Sequence, residues 1–351
     1  MKAARFHGRG DIRIDDVPEP RTLPGTVLVE VEWCGICGTD LHEYLEGPIF
    51  VPPAGAPHPL TGETLPVTLG HEFAGVVREV GDGVDDLHPG ERVAVEPYIV
   101  CGHCDPCEQG RYNVCQSLGF VGLCGRGGGF SRFVVAERRW IHPLGGLGTD
   151  VGALVEPLAV AWHAVRLSGA RPGQTAAVFG TGPIGLAVIA ALRAAGVEHV
   201  IAVEPAAARK NKAAAVGADE VIDPSGVNAT EAVLESTKGR GADVSFECAG
   251  VDAVLRSAVL STRAGGTCVN VAIWGHEARV AMNDLVFREV AVIGSLAYAG
   301  DHPATIEMIA NGRIDPYPFI TGRIDLYDIV KKGFRELIDN KEENVKILVR
   351  P

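Results

Sequence analysis

Thr175-Ala-Ala-Val-Phe-Gly180-Thr-Gly182-Pro-Ile-Gly185 is the stretch that decides how the second half of this chain folds. Thr175–Phe179 reads as a buried strand, the G-x-G-x-x-G spacing follows at once, and an Ala/Leu-rich run to about Ala195 reads as a helix. A glycine triplet alone says little in a chain with 44 glycines. Here it sits between strand and helix, with the acidic Glu204 at the end of the next strand. Gly180 permits the tight turn, Gly182 lets a pyrophosphate approach the backbone, and Gly185 lets the helix pack on its strand. The helix N-terminus supplies N–H donors and a positive dipole end. Pro183 occupies its first turn, where a missing N–H costs nothing, and Ile184 lies beside it. Glu204 is expected to accept hydrogen bonds from the adenosine ribose and to repel a 2′-phosphate, which favours NAD over NADP. Arg209 lies close enough in sequence to pin the ribose or to tolerate a phosphate. Val271 and Leu296 are expected as further cofactor contacts.

Working outward, His199–Val203, Asp219–Ile222, Val244–Phe246 and Thr267–Val271 continue as strands with helices between them. Such alternation implies a parallel sheet covered on both faces. The first ~150 residues differ: short β segments (Val27–Glu32, Gly75–Val80, Arg92–Val95) broken by Gly81-Asp-Gly83 and Pro89-Gly90 turns. Gly47–Pro66 holds six prolines and reads as an irregular surface loop. The tail is mixed, with helices expected at Pro303–Asn311 and Tyr327–Asp339 and a strand at Val345–Val349. The fold class is therefore α/β, and 351 residues make two domains the natural division.

Composition narrows the function classes. The chain is 46% hydrophobic and 22% charged, with a net charge of −12 and no basic run beyond short pairs such as Lys331-Lys332. Nucleic acid is a poor partner for such a surface. No apolar stretch reaches the ~18 residues of a membrane span, and Met1–Gly10 lacks a signal-peptide core. Nine cysteines, four of them clustered, fit a reducing cytoplasm better than a disulfide framework.

That cluster is Cys101-Gly-His-Cys104-Asp-Pro-Cys107, followed by Cys115. Two C-x-x-C steps and a fourth sulfur suit one tetrahedral zinc with no open position, in a lobe spanning about residues 98–118. His103 is an alternative fourth ligand. Elsewhere, Cys34-Gly-Ile-Cys37-Gly-Thr-Asp40 ends a strand, Gly70-His71-Glu72 follows an apolar run, and Glu156 interrupts Gly152–Val160. A carboxylate in that apolar setting costs several kcal/mol unless partnered, and a cation would resolve the cost. Cys37, His71 and Glu156 with a water would form an open, catalytic type of zinc site; spacing alone does not link them. Cys34, Cys124, Cys248 and Cys268 read as packing residues.

The order of these motifs resembles the zinc-dependent medium-chain alcohol dehydrogenases: Gly35–Asp40, Gly70–Glu72, the four-cysteine lobe, Val155-Glu156-Pro157 and Gly180–Gly185. The resemblance implies a GroES-like, β-rich catalytic domain formed by residues 1–154 and 293–351, a Rossmann NAD-binding domain over 155–292, and an active cleft at their junction. It implies two zinc ions per subunit: a structural ion on Cys101, Cys104, Cys107 and Cys115, and a catalytic ion on Cys37 and His71. The third catalytic ligand is Glu156, with Glu72 behind it or exchanging with it. Thr39 is expected to bring its hydroxyl to the reacting oxygen, His42 to relay the proton, and Glu72, or a group from the Gly47–Pro66 loop, to meet a second substrate oxygen. Leu41–Phe50, Gly119–Gly122, Trp162–Val165, Val271–Gly275 and Asn344–Leu348 resemble the branch acting on 2,3-butanediol and acetoin, near the sorbitol dehydrogenases. A small diol or hydroxyketone is then the expected substrate, with polyols (sorbitol, xylitol, glycerol) as the alternative. A homodimer or homotetramer is expected, with the Leu285–Ala297 edge as an interface.

Overall fold

A computed structural model describes all 351 residues. The chain forms two compact units, Met1–Glu156 with Phe319–Pro351, and Pro157–Pro318.

The first unit is β-rich. Its central strand, Thr26–Gly35, alternates buried and half-buried residues and pairs antiparallel with Glu72–Val80, Phe133–Glu137 and the final strand Lys346–Arg350. Arg92–Val95 and Ile141–Pro143 extend one side of the sheet, and Ile320–Asp325 extends the other in parallel with the final strand. Phe6, Val29, Phe73, Val77, Phe130 and Phe334 lie in its core. Register is what matters for chemistry. Gly35 pairs with Glu72 on one side and with Leu348 on the other. Three strands separated widely in sequence therefore meet at one point, just before the first helix, α1 (Gly38–Glu46).

Residues 47–66 carry neither helix nor strand, as the prolines imply. The tail departs from expectation. Instead of one helix over Tyr327–Asp339, a 3₁₀ turn (Leu326–Asp328) leads into a π segment (Ile329–Phe334) and a short α-helix (Arg335–Asp339). Ile329 and Phe334 are five residues apart and both buried, and the wider π turn keeps such a pair on one face.

The second unit contains a six-stranded parallel sheet. Along the chain its strands are Thr175–Phe179, His199–Val203, Glu220–Ile222, Ala242–Glu247, Thr262–Asn270 and Ala291–Gly294. Their spatial order is third, second, first, fourth, fifth, sixth, the doubly wound arrangement. The first two strands pair along their full length, Thr175 with His199 through Phe179 with Val203. Ala291–Gly294 joins as the sixth strand beside Thr267–Asn270. That pairing carries this unit on to Pro318, so the chain returns to the first unit at Phe319 rather than near residue 293. No helix in either unit is long and apolar enough to cross a membrane.

Candidate active site

Cys37 caps the N-terminus of α1, and its backbone N–H donates to Asp40 Oδ2 at 3.0 Å. That bond fixes the turn from which Cys37 projects. Cys37 Sγ lies 3.7 Å from Thr39 Oγ1. His71 ends the segment before strand Glu72–Val80 and is 5% exposed. Its Nδ1 is 3.6 Å from Asp40 Oδ1, beyond hydrogen-bond length, and both atoms are buried without a hydrogen-bond partner. Burial opposes charge on His71, but the Asp40 carboxylate and the Cys37 thiol outweigh it and raise its pKa well above the usual value. The Cys37 thiol is itself raised, first by burial and then by Glu72.

Of the two carboxylates expected to share or exchange the third position, Glu72 is the one that groups with Cys37 and His71. Cys37, His71 and Glu72 bring ligand atoms within 4.8 Å of one another, and Glu156 stands outside that group. Ligands of one zinc ion lie roughly 3–4 Å apart, so the sulfur, nitrogen and oxygen donors fit an open zinc site with little adjustment. Lys346 supplies the physical reason for Glu72's place. Its ammonium donates to both oxygens of Glu72 at 2.7 Å and to the Ile36 carbonyl at 3.1 Å. Burial disfavours the charge on Lys346. The carboxylate of Glu72, with Cys37 and then Glu156, overcomes that and pushes its pKa up to about 12. Glu156, 7% exposed, thus acts on the same ammonium and belongs to the electrostatics of the site. A Cβ at Gly35 would stand 2.3 Å from Glu72 Oε2 and 3.1 Å from Lys346 Cδ, so only glycine leaves room for the pair.

Thr39 is half-buried beside Cys37, and His42, one turn further along α1, is exposed. Their spacing puts both on one side of the helix. Lys346 is the functional residue that motif reasoning missed. Its signal was a lysine inside the apolar strand Val345-Lys-Ile-Leu-Val349.

The four lobe cysteines also converge, with Cys115 Sγ 3.5 Å from Cys101 Sγ and 3.9 Å from Cys104 Sγ. Those separations are far beyond a disulfide bond. The lobe loops out between the paired Tyr98–Ile99 and Gly119–Phe120 segments. Backbone N–H groups of Cys101 and Ser117 donate to Cys115 Sγ at 3.4 and 3.3 Å, solvation suited to a thiolate. Hydrogen bonds from the Gln116 and Cys107 backbone lower Cys104 to about 6, while burial raises Cys107 to about 12. Both the donors and the spacing suit one closed zinc. His103 is exposed and turns to the Cys101 carbonyl at 3.0 Å, outside the set.

In the second unit, Gly182 caps a helix running Pro183–Ala194. No atom lies within 4 Å of a Cβ placed on Gly182, which leaves the open approach a pyrophosphate requires. Ile184 sits in the first turn of that helix. Glu204 is 3% exposed and already holds the glycine turn. Its Oε2 accepts from Thr181 N and Oγ1 at 2.8 and 3.1 Å, and Oε1 accepts from Ala206 N at 3.0 Å. Arg209 is half-buried, with its carbonyl 3.4 Å from Thr181 Oγ1. Val271 is buried just after the fifth strand and Leu296 is 36% exposed beyond the sixth. Gly182, Glu204, Val271 and Leu296 lie just past the carboxyl ends of strands, where open α/β sheets bind ligands, whereas Ile184 and Arg209 lie in the first turns of the helices Pro183–Ala194 and Ala207–Ala215.

Comparison with known proteins agrees with this geometry. Residues 23–146 match the alcohol dehydrogenase GroES-like domain, and residues 183–311 match the zinc-binding dehydrogenase domain. An (R,R)-butanediol dehydrogenase of Neisseria gonorrhoeae is 49% identical, over 100% of this chain and 99% of that one. A sorbitol dehydrogenase of Bacillus subtilis is 33% identical, over 100% and 97%. The crystal structure of 2R,3R-butanediol dehydrogenase from Bacillus subtilis superposes with a TM-score of 0.94 at 47% identity, covering 100% of this chain and 99% of that one. A metal-donor cluster in a β-rich unit and a glycine turn on a doubly wound sheet are thus joined in one known architecture, and the chain belongs to the zinc-dependent medium-chain alcohol dehydrogenase family.

Proposed function

We propose that this enzyme interconverts a vicinal diol and its hydroxyketone, 2,3-butanediol and acetoin, and acetoin and diacetyl, with zinc and NAD(H). The observation that carries the reading is the convergence of Cys37, His71 and Glu72 within 4.8 Å, with Thr39 Oγ1 3.7 Å from Cys37 Sγ; His42 follows one turn further along α1. The substrate class rests on the 49% identity to a butanediol dehydrogenase, against 33% to a sorbitol dehydrogenase. Polyols are the second reading.

Cys37, His71 and Glu72 would hold the catalytic zinc, with Glu156 the carboxylate able to take Glu72's place. Bound there, zinc supplies Lewis acidity toward a substrate oxygen and lowers a hydroxyl pKa toward neutrality. Thr39, two residues after Cys37, holds the proton leaving that hydroxyl. His42 receives it and is exposed enough to release it to water. Asp40 anchors α1 through the Cys37 N–H and sets the field around His71. In the second unit, N–H groups at the N-terminus of the Pro183–Ala194 helix would receive the pyrophosphate. Glu204 fixes the glycine turn; its remaining acceptor capacity would serve the adenosine ribose hydroxyls and disfavour a 2′-phosphate. The dinucleotide supplies the hydride acceptor.

The enzyme assembles as a homodimer or larger through the edge strand Ala291–Gly294. Phe287 (81% exposed) and Val286 (62%) precede that strand by a few residues, and an uncovered parallel edge is unusual. Sedimentation of Val292→Lys as a monomer would support this interface; an unchanged oligomer would place it elsewhere.

The reading is tested by NAD reduction with the stereoisomers of 2,3-butanediol, sorbitol, glycerol and ethanol, with Cys37→Ser as control. Fastest turnover on a butanediol isomer and none in the control is the expected result. A preference for sorbitol would replace the substrate assignment, and an active control would remove the metal site from the chemistry.

A further inference from the structure

The helix Ala207–Ala215 begins with charges that its own dipole opposes. A helix N-terminus favours acidic side chains, yet this first turn holds none, and Arg209 and Lys210 stand there instead. Lys210 is matched from outside the helix: its Nζ meets Asp223 Oδ2 at 2.5 Å. Asp223 follows directly on the third strand, Glu220–Ile222, and its other oxygen accepts from Ser225 N at 2.9 Å. The Lys210 ammonium, and then the Ser225 N–H, hold the Asp223 carboxyl down at about 2, so it is ionised at neutral pH.

The pair stands next to Glu204. Val203 and Ile222 are partners in the parallel sheet, and Glu204 N donates to the Ile222 carbonyl at 3.0 Å. Glu204 and Asp223 therefore leave neighbouring strand ends side by side, about 4.8 Å apart as adjacent strands are. Thr181 joins the helix to the same place. Its N and Oγ1 donate to Glu204 Oε2, and its Oγ1 lies 3.4 Å from the carbonyl of Arg209, the residue before Lys210. With Ala206 N on Oε1, three donors fix Glu204. The Lys210–Asp223 pair is looser and partly open to solvent, with side chains 25% and 42% exposed.

We propose that Asp223 is a specificity-determining residue for the cofactor: by pairing with Lys210 it withholds that ammonium from the 2′-phosphate of NADP. This rests on the ribose reading of Glu204 above. The chain then selects NAD twice, by the fixed carboxylate of Glu204 and by the Lys210–Asp223 latch. NAD carries a neutral hydroxyl at the 2′ carbon, asks for no cation there and leaves the latch closed. A 2′-phosphate carries about −1.5 to −2 charges at pH 7. To receive it, Lys210 must leave Asp223, and a bare carboxylate is then left facing the phosphate.

The test reads kcat/KM with NADP over kcat/KM with NAD, using the zinc-loaded enzyme and 2,3-butanediol. Asp223→Asn keeps an oxygen for Ser225 N and removes the charge, and its melting temperature checks the fold. The ratio should rise about tenfold, as expected for one unit charge removed within roughly 7 Å of a doubly charged phosphate, chiefly through KM for NADP. The gain should shrink as salt is raised and vanish in Asp223→Asn/Lys210→Gln. Calorimetry with AMP and with adenosine 2′,5′-bisphosphate makes the same comparison without turnover, and only the bisphosphate should bind Asp223→Asn more tightly. Asp223→Ser should act alike, so either folded variant carries the test. An unchanged ratio would overturn the latch, and so would a gain that survives the loss of Lys210. A wild type as active with NADP as with NAD is seen before any variant is made, and would overturn the Glu204 reading as well. A wild type that prefers NAD, with an unresponsive Asp223→Asn, would overturn the latch alone.

Discussion

Lys346 holds its charge where water is excluded, and its fate is bound to that of Glu72. Removing one partner of a buried ion pair leaves the other uncompensated, at about 3–5 kcal/mol. Lys346→Met should therefore lower the unfolding free energy by about that amount in urea titrations, while adding Glu72→Gln should recover much of it. A loss below about 1 kcal/mol would mean that the pair is solvated like a surface bridge. The two acids beside Lys346 separate by metal content. Glu72→Gln should carry one zinc per chain by elemental analysis, whereas Glu156→Gln should keep two and turn over more slowly. The reverse pattern would make Glu156 the resident ligand. The sequence made Cys37 and His71 legible because each sits in a short motif of its own. The Glu72–Lys346 pair was hidden because 274 residues separate its members, and only the strand register at Gly35 joins them.

Elements were most legible where one periodicity dominates. Thr175–Phe179 and His199–Val203 form strands over the same residues that the apolar runs mark, because a parallel sheet buries both faces. The tail was less legible. A single apolar periodicity does not distinguish an α-helix from a π segment that turns Ile329 and Phe334 inward together. Nor did the sequence foretell how the carboxylate at the start of the helix His302–Ala310 is held. Asp301 precedes it, 1% exposed, and accepts from His163 at 2.8 Å while meeting Arg166 at 2.7 Å. Burial opposes its charge, but His163, the Ala299 N–H and Arg166 prevail and lower its pKa. A lowered carboxylate pKa stabilises the fold above the unfolded value of about 3.8 and loses that contribution as pH falls below it. Wild type should thus exceed Asp301→Asn in unfolding free energy at pH 7. The gap should narrow below about pH 4 in denaturant titrations across pH. A gap that widened in acid would contradict this linkage.

At the scale of the whole molecule, the two metal centres divide the labour between chemistry and architecture. Both are built in the first unit, but on different foundations. The Cys37–His71–Glu72 cluster stands where three paired strands meet, so the sheet shapes it whether or not an ion is bound. The cysteine lobe has no such support. Between Cys101 and Cys115 it holds only one turn of helix, Asp105–Glu108, and one 3₁₀ turn, Tyr112–Val114. Its apolar backing is the cluster of Tyr98, Tyr112 and Trp140, with ring centroids 5.0–5.7 Å apart. So short a loop orders itself through its metal, and zinc binding in isolated structural sites is worth ~10–16 kcal/mol. Cys104→Ser should therefore reduce zinc from two ions per chain to one and lower the melting temperature. It should also expose residues 98–118 to protease, while kcat per folded molecule stays within about twofold, since the sheet-built site is untouched. Elemental analysis, limited proteolysis and active-site titration on one preparation would check all of these outcomes. A Cys104→Ser enzyme with wild-type stability and abolished turnover would instead tie the lobe's zinc to the chemistry.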